Sequence, residues 1–274
     1  MIQGFCTKLV TDEIIQPFVE SAHGVMHACQ EEVDELSIAN WPSFKLSDLN
    51  KMPIAVFGIL RGTGDLIKHC EAVNHTYYHV DHAYSFRSQN HHANAVFNQR
   101  IYRITKNGLM LNHIEQLDQD DYKRIEKYHP FYEIKPWRRV GKHILVLPPS
   151  HHVKAWYGIP QWEEQVVSRL KQFTDREIIL KHKEDARSFQ DLLQNAWAVV
   201  TCQSAAAVDA VLEGVPSFCD PMSMAQAVSK TDLAQIENPF YPDNRREWFS
   251  SLLANQYLMS EIREGVAWRR LKNK

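Results

Sequence analysis

Three short stretches of this 274-residue chain concentrate side chains able to do chemistry. Residues 79–84, "HVDHAY", set His79, Asp81 and His82 at the end of a β-rich run. Imidazole and carboxylate are the groups that most often take or give a proton in a reaction. His79 and Asp81 share a strand face, and His82 points to the other if the strand continues that far. Residues 202–207, "CQSAAA", put Ser204 where an apolar run turns into a helix. A serine there caps the helix with its hydroxyl. The amides of residues 205–207 then offer an anion their N–H groups and the positive end of the helix dipole, worth about 0.3–1 kcal/mol and about 2 in a sheltered site. Alanines leave that backbone approachable. The same residues read equally as a plain cap followed by small side chains that allow close helix–strand packing. Residues 61–65, "RGTGD", follow another apolar run and open a helix. Gly62 and Gly64 let a ligand approach the backbone, with Arg61 and Asp65 beside it; Asp65 is equally suited to capping the helix. The loop is not a full G-x-G-x-x-G and has no acidic ribose partner, which argues against a dinucleotide site.

These stretches must be held by alternating strands and helices. The first 50 residues read as helical, with apolar spacing broken by Pro17 and Gly24. Strands are expected at 54–60, 76–84 and 99–108, the last ending in an Asn-Gly turn. A short helix is expected at 118–128. Residues 129–142, with Pro130, Pro136 and Gly141, form the best linker. Beyond it, "HILVLPP", "REIILKHK", "WAVVTCQ" and "VPSFCD" read as strands of a parallel sheet, with amphipathic helices between them. Gly214 closes the helix that Ser204 opens. Residues 246–274 read as helical with a basic end. The expected architecture is α/β, two Rossmann-like doubly wound halves, 1–140 and 141–274, with the last helix packing back on the first half.

Composition narrows the function classes. A formal charge of −2 and a pI near 6.7 exclude a globally basic nucleic-acid footprint, though not a local patch. Five cysteines without a CxxC pair read as reduced, intracellular core residues. The sequence has no apolar run near 18 residues and no signal-peptide pattern, so a cytoplasmic protein with no membrane insertion is expected. "DQDD" at 118–121 reads as a helix start with acidic residues favoured by the dipole, rather than a metal motif. The pairs His91–His92 and His151–His152 match no zinc spacing. No metal is expected to be required.

The run from 143 to 220 resembles the C-terminal half of GT-B glycosyltransferases, especially those of capsule and surface-polysaccharide systems and of related phage enzymes. The resemblance rests on a strand followed by Ser204-Ala205-Ala206-Ala207 and then Glu213-Gly214-Val215-Pro216. The strand "ILKHK" looks like the one that places cations near the donor diphosphate. "YYHVDHAY" followed by "YRITKNG" resembles N-terminal segments of small phage and bacterial transferase-like proteins.

The resemblance implies a nucleotide-sugar donor, with a UDP-sugar first in line and no further cofactor. Ser204 with the amides of Ala205 and Ala206 would hold one phosphate. Lys181 and Lys183, alternate on a strand, would neutralise charge, or simply end the strand in solvent. Ser150 and His151 sit at another strand end, able to touch phosphate or sugar. Asp220 and Ser223 lie where such enzymes bind ribose or donor sugar, with Asp220 equally able to cap the next helix; Gln203 is a further candidate. Arg61, Gly62 and Gly64 form a cleft loop. Inverting transfer needs a base for the acceptor hydroxyl, with Asp81 the first choice and His82 the second; a retaining enzyme needs none.

For the acceptor, small phage enzymes that glycosylate hydroxymethylated bases such as hydroxymethylcytosine have this size and fold class. That reading is the favoured one, and it implies a phage-encoded enzyme acting on duplex DNA in the host cytoplasm. It requires a basic face, for which Arg103, Lys106, Arg138, Arg139 and the tail "WRRLKNK" are candidates. A surface glycan is the alternative acceptor. A nucleotide-sugar epimerase and a non-catalytic protein that keeps the fold are the rival classes.

Overall fold

The computed structural model describes residues 1–6, 9–28, 49, 52–60, 62–87 and 92–274. In chain order the elements are β1 (Gln3–Cys6), α1 (Leu9–Ser21), β2 (Val25–Ala28), β3 (Ile54–Phe57), α2 (Thr63–Ala72), β4 (Tyr77–His82), β5 (Ile101–Lys106) and α3 (Gln119–Ile125). There follow β6 (His143–Leu147), α4 (His151–Tyr157), α5 (Trp162–Leu170), β7 (Glu177–Leu180), α6 (Phe189–Gln194), β8 (Ala196–Thr201), α7 (Ala206–Leu212) and β9 (Ser217–Cys219). The chain closes with α8 (Arg245–Ala254), β10 (Gln256–Leu258), α9 (Met259–Arg263) and α10 (Val266–Lys272).

Two compact units result: Met1–Met110 with Asn255–Lys274, and Leu111–Ala254. Residues 111–140 thus group with the second unit, whereas the Pro-rich stretch led us to expect a boundary at 140. Main-chain hydrogen bonds explain the grouping. Lys135 N–H donates to the Leu212 carbonyl and Arg138 N–H to that of Gly214, each at 2.8 Å. The stretch is therefore strapped along the end of α7. Residues 255–274 belong to the first unit.

The first unit carries a sheet in the order β10-β5-β4-β3-β1-β2. β1 to β4 are parallel, while β5 and β10 are antiparallel to their neighbours. One face of this sheet packs Tyr78, Val80, Tyr102, Ile104 and Tyr257 against Ile15 and Phe18 of α1, Ile262 of α9 and Leu271 of α10. Two expectations are corrected here. The first segment is not all helix, because "QGFC" and "VMHA" are short parallel strands on either side of α1. Glycine allows that packing: a Cβ on Gly4 would lie 2.4 Å from Met26 Sδ, and one on Gly24 2.2 Å from the Ile2 carbonyl oxygen. The C-terminal segment is also interrupted, since "QYL" is β10, pairing Tyr257 with Tyr102.

The second unit carries a wholly parallel sheet, β7-β6-β8-β9. Ile144, Val146, Ala198, Val200 and Phe218 face Trp162 and Leu170 of α5. Leu145, Leu147 and Val199 face Leu193 of α6 and Ala210 of α7. Both faces are thus covered, which is why these strands read as near-continuous apolar runs. Strand order reverses at β6/β8 in this unit and at β1/β3 in the first. In open α/β sheets ligands bind beyond the carboxyl ends of strands at such a reversal.

Candidate functional site

In the second unit, Ser150 follows β6 and Gln203 and Ser204 follow β8, its parallel neighbour. Ser150 caps α4, its hydroxyl accepting from Val153 N–H at 3.5 Å, and His151 is exposed behind it. Tyr157 donates its hydroxyl to Gln203 Oε1 at 2.8 Å, tying α4 to the loop after β8. Tyr157 was not among the expected site residues, because only the fold brings it 46 positions along the chain to Gln203. Ser204 Oγ accepts from Ala206 N–H at 3.2 Å, and the Ser204 carbonyl accepts from Ala207 N–H at 3.0 Å. The expected anion cradle is thereby corrected, since the N–H groups of Ala206 and Ala207 are already used by Ser204. Ala205 is the residue before α7 and is half-buried. Ala207 is fully buried and Ala206 packs against the core, so these two alanines serve close helix–sheet packing.

The other expected donor contacts fall differently. β7 ends at Leu180, so Lys181 and Lys183 do not alternate on a strand. Lys181 turns its ammonium back to the carbonyls of Asp185 (3.0 Å) and His182 (3.3 Å), while Lys183 is exposed in the following turn. Asp220 accepts from the Cys202 thiol at 2.8 Å. Burial, and then the Asp220 carboxylate, push that thiol's pKa up, so it remains a proton donor. Ser223 is fully buried, and its hydroxyl accepts from Ala225 N–H at 3.3 Å. A concavity of about 720 Å³ lies at the opposite end of the sheet, before β7, lined by Lys171, Thr174, Arg176 and Glu237 among others. Arg176 and Glu237 pair there at 3.0 Å.

In the first unit, the carboxyl end of β4 holds a polar cluster. Asp81 Oδ2 pairs with Arg103 Nη2 at 2.6 Å, and Asp81 Oδ1 accepts from His82 N–H at 2.7 Å. Arg103 also donates to the His82 carbonyl at 2.6 Å and the Leu109 carbonyl at 3.3 Å. Burial alone would raise the Asp81 pKa, but Arg103, helped by His79 and His82, outweighs it and holds the carboxyl below its usual range. Asp81, the first choice as base, therefore has both oxygens engaged and its charge neutralised. His82 lies on the other face, half-buried, edge-on to Phe57 at 5.8 Å between ring centres.

His79 is 1% exposed and holds the Leu109 carbonyl through Nδ1 at 2.9 Å. Burial, opposed by Asp81 and helped by Arg103, lowers its pKa to about 4. The unfolded chain takes up that proton near pH 6.5. Stability from this group is therefore complete above about pH 6.5 and falls by roughly 3 kcal/mol in total as pH drops towards 4. His79→Gln is expected to remove this part of the acid slope in urea-unfolding midpoints; an unchanged slope would contradict it.

The basic residues expected to face DNA mostly have a partner within the protein, several of them at the surface. Arg103 has an 8% exposed side chain. Arg138 donates to the carbonyls of Leu193 and Gln194, capping the end of α6. Arg139 stacks over Tyr241 at 4.4 Å; of the basic residues beside these candidates, Lys135 pairs with Glu213 at 2.6 Å and Arg100 with Glu13 at 2.9 Å. In the tail, Arg269 bonds the Glu264 carbonyl and Arg270 the Asn255 side chain. Lys106 is half-buried at the end of β5.

Of the loop "RGTGD", Arg61 lies outside the described residues, as does His91. Gly62 takes the left-handed conformation, φ +86°, before α2. Gly64 is buried in the first turn of α2. Thr63 ties the loop by donating to the carbonyls of Leu60 (2.7 Å) and Gly58 (3.1 Å). Asp118 caps α3, accepting from Asp121 N–H at 2.8 Å, which is the helix start read from "DQDD". Among the described residues no helix is long and apolar enough to cross a membrane.

No family model matches the chain, and no curated protein matches it. Solved structures do. The Thermosulfurimonas dismutans KpsC beta Kdo 2,7 transferase is 11% identical, over 98% of this chain and 99% of that one, with a TM-score of 0.50. The beta Kdo 2,4 transferase of the same organism's KpsC is 8% identical over 97% and 98%, with a TM-score of 0.48. The likeness is one of fold. It defines the class of architecture: α/β, two Rossmann-like doubly wound units, as in GT-B glycosyltransferases.

Proposed function

We propose that the chain is a glycosyltransferase moving a sugar from a nucleotide-sugar donor to a hydroxyl of a surface glycan of the capsule type. The observation that carries this reading is the full-length likeness to a solved structure named as a sugar transferase. The donor belongs at the carboxyl ends of β6 and β8, where Ser150, Gln203 and Ser204 stand and Tyr157 braces Gln203. The base belongs at the end of β4, where His82 accepts the proton of the acceptor hydroxyl. The hydroxyl oxygen bonds to the anomeric carbon as the bond from that carbon to the nucleotide breaks. A glycan acceptor is preferred to a hydroxymethylated base because two of the arginines considered for a DNA backbone, Arg103 and Arg138, are bonded to acceptors within the protein. No step of this reading runs through a metal, and a UDP-sugar is the first donor to test.

Calorimetric titration with nucleotide sugars tests the donor half. One donor is expected to bind, and Gln203→Leu, which removes the acceptor of Tyr157, is expected to weaken it about three- to tenfold. Affinity unchanged by Gln203→Leu would move the donor away from β6 and β8.

A further inference from the structure

We infer that Arg103 is the positioning residue of the first-unit site, holding the main chain of His82 so that its imidazole keeps one orientation towards substrate. This rests on the reading of His82 as base. The guanidinium reaches three acceptors at once: Asp81 Oδ2, the His82 carbonyl and the Leu109 carbonyl. Asp81 in turn accepts from His82 N–H at 2.7 Å. Both main-chain polar groups of His82 are thus held by this one ion pair. The Leu109 carbonyl is shared with His79 Nδ1, which extends the frame into the turn after β5. Tyr84 lies under the guanidinium at 5.5 Å.

Three features make this more than strand pairing. Asp81 and Arg103 are already opposite each other in the β4–β5 ladder, so the sheet does not need the ion pair for register. An apolar pair of similar volume would hold the strands without the cost of burying charge. A planar, pre-organised fork suits geometric control in a way that a single ammonium does not.

The test uses the full-length protein with Arg103→Lys and with Arg103→Met combined with Asp81→Leu. The double variant removes both charges together, so no buried charge is stranded. Two readouts are taken: the ring 15N–1H spectrum of His82, and kcat and KM for the donor. The double variant is expected to melt within a few degrees of the parent, to show shifted His82 ring resonances with mixed tautomers, and to lose at least tenfold in kcat with KM within about twofold. Arg103→Lys is expected to change the same two readouts in the same direction, and it decides the matter if the double variant does not fold. A His82 spectrum unchanged in these variants, or a kcat retained, overturns the inference. If the parent turns over no donor, the transferase reading fails; the His82 spectrum then decides the role of Arg103 by itself.

Discussion

His82→Ala is expected to lower the transfer rate by about 10²–10⁴, with melting temperature and donor affinity close to those of the parent. The ring is half-buried on the face of β4 opposite Asp81 and Arg103, so its removal leaves the ion pair intact. Asp81→Asn separates the two candidate bases. If Asp81 were the base, its amide would abolish proton transfer while the fold stood. In the arrangement seen, Asp81 balances a buried guanidinium at 2.6 Å. Asp81→Asn therefore loses stability first, because a charge-assisted bond becomes an ordinary one and Arg103 loses its counter-charge. Steady-state rates beside thermal melts of both variants check this. A stable His82→Ala protein with parental rate would remove His82 from the chemistry.

Gly214→Val is expected to destabilise the second unit by roughly 3 kcal/mol or more. Gly214 sits just past α7 at φ +78°, and a Cβ there would lie 2.1 Å from the Pro136 carbonyl oxygen. A β-branched residue meets both penalties: a disfavoured backbone conformation, and a main-chain atom that cannot move without pulling the 135–138 strap off α7. Gly158→Val is the control. Its φ of +66° is similar, but a Cβ would meet nothing within 4 Å, so only the conformational cost of about 1–2 kcal/mol applies. Thermal melts are expected to place Gly214→Val well below Gly158→Val. Equal melting temperatures would mean that the strap is not held as described.

The second unit was the more legible half. Its strands are short apolar runs bounded by turns, and its helices have readable ends: Ser188 caps α6 and Gly214 closes α7. The first unit was harder because β1, β2 and β10 are three or four residues long. Apolar residues in so short a run fit a helical stripe as well as a strand, and only partners far along the chain decide between them. The same limit applied at the sites. Ser150, Gln203 and Ser204 could be placed because each follows a parallel strand. The pairing of Asp81 with Arg103 depends on the β4–β5 register, which one sequence does not reveal. The exposed position of Lys183 depends on β7 ending at Leu180, a boundary no strong turn signal marks. Runs such as "KPWRR" read as a basic face because composition shows charge but not its partners, and here Arg138 is spent on the end of α6.

The most direct test of the transferase reading is a turnover assay with full-length protein and a panel of nucleotide sugars. Two acceptors are offered in parallel, a capsule-type oligosaccharide set and duplex DNA containing hydroxymethylcytosine, and products are read by mass spectrometry. The account predicts a sugar mass added to an oligosaccharide, with nucleotide released in equal amount. Sugar added to the base would contradict the glycan acceptor while keeping the reaction class. Free epimer without transfer, or no consumption of any donor, would contradict the transferase itself.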